Sequence, residues 1–129
     1  MSDRIISEES AQEQFQGLLD FYGVELESLG DIKERVEKKL IDAISFGKIE
    51  IKNDPDNFSV TQNLRNGTSF VYNEVTGQSK VVMEKLEGGH QRLYGLLAAL
   101  SKKPIAQIQQ IKGNDLSIAE CLAAVFLAG

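Results

Sequence analysis

The chain has one cysteine, one histidine, two prolines and no tryptophan. One cysteine cannot staple a fold, and a single histidine beside it cannot build a His/Cys metal cage. No apolar run is long enough to span a bilayer. Met1-Ser2-Asp3-Arg4 leads directly into polar sequence rather than a signal-peptide core. The expectation is a cytoplasmic protein that engages no membrane. The 129 residues, 42% of them apolar and 26% charged, suffice for one self-supporting core, and we expect a single domain over 1–129.

Positive charge is also scarce at one end. The net charge of −5 argues against unspecific nucleic-acid binding. Residues 1–31 carry eight acids and the lone base Arg4, for −7, whereas residues 32–129 sum to +2. Two readings follow: a solvated helix face, or an acidic arm (1–31) docking on a basic surface of the remaining body (32–129) or of a partner.

Hydrophobic periodicity changes twice along the chain. Ser10 with Glu13 forms a capping box, with Ser7 as an earlier alternative. Phe15, Leu18, Leu19 and Tyr22 follow at helical spacing, and Gly23 stops the pattern. After an acidic loop, Asp31 and Glu34 restart a helix with the stripe Ile32, Val36, Leu40, Ala43 and Ile44, closed by Gly47. The period then drops to two at Ile49 and Ile51. Phe58–Leu64, Thr68–Val75 and Ser79–Leu86 continue as strands, joined at Asn66-Gly67 and Thr76-Gly77. From Gly88-Gly89 a helix carries Leu93, Leu96, Leu97 and Leu100, with Tyr94 at its margin. Lys102-Lys103 end it, and Pro104 opens a short helix with Ile105, Ile108 and Ile111 that Gly113 stops. Ser117 and Glu120 offer a last capping box before Ile118, Leu122, Val125 and Phe126. The expected fold class is α+β: N-terminal helices, a small antiparallel meander and a C-terminal helical cluster.

Chemistry-bearing motifs are few. Asn53-Asp54-Pro55-Asp56-Asn57 offers oxygens, but position twelve counted from Asp54 is Arg65 in place of a calcium loop's glutamate. Gly88-Gly89-His90 lacks the lysine–hydroxyl pair of a phosphate loop, and His90 reads as a helix-start residue. The sequons at Asn57 and Asn66 read as chance matches. Cys121, on an Ala-rich helix, reads as a small buried hydrophobe. No catalytic, cofactor-binding or metal-ligating residue is assigned, and the expectation is a non-enzyme without a cofactor.

The last helix points to interactions. Ala119 to Gly129 is almost free of charge, and one helix face cannot internalise every apolar side chain. Cys121, Phe126 and Leu127, with Tyr94 nearby, are therefore the candidate partner-binding residues. Polar replacement of Phe126 and Leu127 is expected to abolish self-association or client capture while the domain stays folded.

Leu40-Ile41-Asp42-Ala43-Ile44-Ser45-Phe46-Gly47-Lys48-Ile49-Glu50-Ile51 resembles the opening of tail assembly chaperones from long-tailed bacteriophages and prophages. The strand Phe58–Leu64 and the segment Arg92–Pro104 are similar to those proteins as well, the latter to a leucine- and alanine-rich helix ending in Leu-(Ser/Thr)-Gly-x-Pro. Lys102 stands where that pattern has glycine, and the acidic first helix has no counterpart. Ile108, Ile111, Asp115, Ile118 and Val125-Phe126-Leu127 continue the likeness, which covers about residues 40–127. It implies a cytoplasmic binding protein that covers tail tube and tape measure proteins during virion assembly and leaves the finished particle, with homo-oligomerisation open. The alternatives are a structural or adaptor protein that stays in such an assembly, and a small-ligand-binding regulator or enzyme.

Overall fold

A computed structural model describes residues 5–54, 56–77 and 89–128. The fold is α+β, as expected. Helix α1 (Glu8–Tyr22), a 3₁₀ stretch (Leu26–Ile32) and α2 (Lys33–Ser45) precede strands β1 (Ile49–Lys52), β2 (Ser59–Asn63) and β3 (Ser69–Asn73). Helices α3 (Gly89–Ser101), α4 (Ile105–Gln109) and α5 (Gly113–Ala128) follow. The expected strand Ser79–Leu86, the glycine Gly88 and the side chain of His90 lie outside the described residues.

Ser7, rather than Ser10, caps α1, its hydroxyl accepting from the Ser10 N–H at 3.1 Å. Gly23 closes the helix at φ 67°, where a glycine avoids the Cβ clash of the left-handed region. Ala11, Phe15, Leu18 and Leu19 enter the core, and burying each of the large ones contributes about 2 kcal/mol. Glu8, Glu9, Glu13 and Asp20 face outward. Over α1 the acidic segment is therefore no separate arm: that helix is part of the core and these four acids form its solvent face, while Glu25, Glu27 and Asp31 stand exposed at the 3₁₀ stretch that follows.

The start of α2 departs from expectation. Asp31 does not cap it; the 3₁₀ stretch bends at Gly30 (φ 64°, ψ −130°) and α2 begins at Lys33 with no side-chain cap. This bend turns Ile32 outward, 42% exposed, while Val36, Leu40, Ala43 and Ile44 stay buried. At the other end, Ile5 and Ile6 donate backbone N–H groups to the Ser45 carbonyl, and the Ser45 hydroxyl donates to the Ile6 carbonyl at 2.9 Å. Gly47, at φ 77°, lies under the Ile5 side chain, so a Cβ there would collide with it.

The three strands form an antiparallel sheet in the order β1-β2-β3. Ile49 opposes Gln62, Ile51 opposes Val60, and Gln62 opposes Phe70 in turn. The alternation places Ile49, Val60, Gln62, Phe70 and Tyr72 against the helices, with Glu50, Thr61 and Val71 on the outer face. In the β2–β3 connection the Gly67 N–H donates to the Leu64 carbonyl, and Gly67 adopts φ 91°. This is a tight turn ending in a glycine bulge, the geometry that Asn66-Gly67 suits.

Beyond the sheet, Leu96, Leu97 and Leu100 of α3 are buried. Lys102 ends that helix at φ 57°, the left-handed conformation usually left to glycine, and the Lys103 N–H reaches back to the Ala98 carbonyl. Lysine thus accepts a turn built for glycine. Pro104 precedes α4, with Ile108 and Ile111 pointing inward. Gly113 does not stop a helix but opens α5, so Ser117 lies inside α5 and does not cap it.

Helix α5 is buried on most sides: Ile118, Ala119, Cys121, Leu122, Ala123, Val125 and Phe126 all lie in the core. A polar bridge meets its first turn. The Tyr72 hydroxyl donates to Gln62 Oε1 and Gln62 Nε2 donates to the Asp115 carbonyl, both at 2.8 Å. The Asp115 carboxylate accepts the Arg65 backbone N–H at 3.2 Å. Among the described residues no buried side-chain nitrogen or oxygen lacks a partner.

Two outcomes test this architecture. Lys102→Gly should raise stability by about 1 kcal/mol in urea denaturation, because it removes left-handed strain. Tyr72→Phe should lower it by about 1–2 kcal/mol by orphaning Gln62 Oε1. Burial holds the Tyr72 phenol well above its ordinary pKa of 10.0. The unfolded chain therefore ionises first, so stability present below pH 10 is lost as pH rises from there toward the folded pKa. Alkaline urea titrations should show this loss reduced in Tyr72→Phe.

Candidate interaction groove

The four residues singled out in the sequence separate in the fold. Phe126 is 1% exposed, its ring centroid 5.6 Å from Tyr22 and 6.1 Å from Tyr72. Cys121 is buried too, as its small-hydrophobe reading anticipated. Burial pushes its thiol pKa up, while Arg35 and then Lys39 pull it down and Glu120 adds to the rise. Leu127 is half-buried against the core, and so is Tyr94. Cys121, Phe126 and Leu127 are thus not all fully internal, as expected, but the partly exposed member is Leu127, while Cys121 and Phe126 lie in the core. Neighbours pack around the helix from α1, α2, α3 and the sheet, so one apolar face is not the limit of what it can bury.

Tyr94 and Cys121 are nevertheless linked through Glu120, which accepts a hydrogen bond from Tyr94 and shares a groove with Cys121. Tyr94 Oη donates to Glu120 Oε2 at 3.2 Å. Burial raises the Tyr94 pKa, and the Glu120 carboxylate reinforces the shift. Glu120 and Cys121 line a shallow groove of about 160 Å³ between α2, α3 and α5. Ile32, Val36, Leu93 and Ala124 supply its apolar surface, and Arg35 stands on its α2 side. Arg35 Nη2 donates to Ser117 Oγ at 3.1 Å, and Lys39 Nζ donates to Asn114 Oδ1 at 2.7 Å, bracing α2 along α5. Phe126 and Leu127 do not reach this groove; Phe126 instead backs a second hollow of about 330 Å³ with Phe21 and Tyr22.

Sequence reasoning missed Ile32, Leu93 and Ala124 as surface-forming residues. Ile32 fits the helical stripe of α2, and only the bend at Gly30 turns it outward. Gly30 itself was the available signal.

A third hollow, of about 440 Å³, opens between the β2–β3 turn and the α4–α5 junction. Among the described residues, no group of three or more His, Cys, Asp or Glu side chains is placed to hold a metal ion. Among them also, no helix is long and apolar enough to cross a membrane.

Comparison with protein-family models, curated proteins and solved structures finds no match to this chain. The groove has an apolar floor and a charge of each sign at its edges.

The packing yields two outcomes. Phe126→Ala should cost about 3–5 kcal/mol of stability in denaturant titration, because the site is core and not contact surface. Maleimide should label Cys121 slowly in the native protein and rapidly in urea; fast native labelling would contradict the burial of the thiol.

Proposed function

We propose that this protein is a non-catalytic assembly chaperone of the phage-tail type, which covers apolar surface on tail tube or tape measure proteins until they assemble. The reading draws on the likeness of residues 40–127 and on one structural observation. Ile32 stands 42% exposed beside the groove lined by Leu93, Ala124 and the edge of Cys121. An apolar contact this small favours release over permanent association, as a chaperone that leaves its product requires. Arg35 and Glu120 at the margins add orientation through charge.

The contact surface in this reading is the α2–α3–α5 groove, in place of the Phe126–Leu127 pair. A chaperone of this type would be encoded beside a tail tube gene and a long tape measure gene. Co-expression with that tube protein and pull-down should recover a complex, and Ile32→Asp should reduce the recovery at least about tenfold without changing the fold. Equal recovery with Ile32→Asp, or no complex with either client, would sink the proposal. Finding the chain in purified particles would favour a structural adaptor.

A further inference from the structure

We propose that the hollow between the β2–β3 turn and the α4–α5 junction binds a small organic anion: a carboxylate carried on a short apolar body. This inference is independent of the chaperone reading. It starts from charge. The protein is −5 overall, yet among the described residues the ionisable groups lining this hollow are Arg65, Lys112 and Asp115, an excess of one positive charge.

The two cations and the acid differ in availability. Asp115 is buried, and its carboxylate is already engaged by the Arg65 backbone N–H. Arg65 and Lys112 are exposed, and among the described residues neither side chain forms an ion pair or hydrogen bond. They approach from different elements, the hairpin turn and the α4–α5 link. An anion between them would gain charge-assisted hydrogen bonds from both sides.

The rest of the lining selects the kind of anion. Leu64, Phe70 and Ile111 give the hollow an apolar floor, which a hydrated inorganic ion would leave unused. Gln107 and Gln110, one helical turn apart on the α4 side, add amide groups at the rim. The volume of about 440 Å³ falls within the ordinary range of small-molecule sites. Apolar floor, amide rim and two cations from different elements match a carboxylate with a short hydrocarbon or amino-acid side chain. The same chemistry occurs in a free carboxylic acid and at the C-terminus of a peptide.

The test is titration of the ¹⁵N-labelled full chain, followed by amide chemical shifts. Hexanoate should shift amides of residues 64–70 and 107–115 saturably. Hexanol, which keeps the apolar body and lacks the charge, should bind about tenfold more weakly, and inorganic phosphate should do the same. The double variant Arg65→Ala, Lys112→Ala should lose about tenfold in hexanoate affinity while its circular dichroism matches the wild type. A leucine-terminated tripeptide acid that binds more tightly than hexanoate and than its own amide assigns the site to a chain end; hexanoate binding at least as tightly as the peptide assigns it to a free acid. No saturable shift with any carboxylate would overturn the proposal. So would hexanol or phosphate matching hexanoate, or a double variant that binds hexanoate as the wild type does.

Discussion

Gln62 is the constraint on which the arrangement of this molecule depends. Its side chain is fully buried, receives a hydrogen bond from Tyr72 and gives one to the Asp115 carbonyl. Helix α5 has apolar residues on most of its circumference, so hydrophobic burial alone would tolerate several rotations about its axis. A polar link in a dry interior does not tolerate them, because each misplaced rotation leaves Gln62 and Asp115 without partners. Hydrophobic packing thus supplies the attraction that holds α5 in the core. The Tyr72–Gln62–Asp115 bridge supplies its orientation relative to the sheet.

Everything proposed for function inherits that orientation. The rotation that sends Ile118 and Leu122 inward presents Ala124 and the edge of Cys121 to the groove. It also brings Asn114 and Ser117 against Lys39 and Arg35 of α2. The same first turn anchors the β2–β3 connection through Arg65, which places the turn beside the α4–α5 junction and opens the hollow between them. Groove and hollow are two sides of one fixed helix.

Much of this fold was legible from local signals. Period-two alternation at Ile49 and Ile51, Asn66-Gly67 between β-prone runs, and Gly23 after Tyr22 each reflect a physical rule acting within a few residues. What escaped was set at longer range. Ser117-x-x-Glu120 has the form of a cap, but α5 begins four residues earlier at Gly113. Ile32 belongs to a stripe until Gly30 bends the chain away from it. The joint burial of Phe126 and Cys121 was not legible either, because a single helix has one face that its own periodicity marks as buried. Phe126 and Cys121 are internal because elements distant in sequence close around α5, and no periodicity within α5 records that. Of the four residues chosen, Cys121 lines the groove and Tyr94 adjoins it through Glu120.

The two-faced sheet has one further consequence. Ile49, Val60, Gln62, Phe70 and Tyr72 lean on the helices, while Glu50, Thr61, Ser69 and Val71 between them point outward. Substitutions at inward positions disturb packing or the polar bridge, whereas most outward ones fall within about 0.5 kcal/mol of neutral. Over generations the meander should therefore keep two clocks, with neighbouring residues drifting at different rates: slow for those that see the core, fast for those that see water.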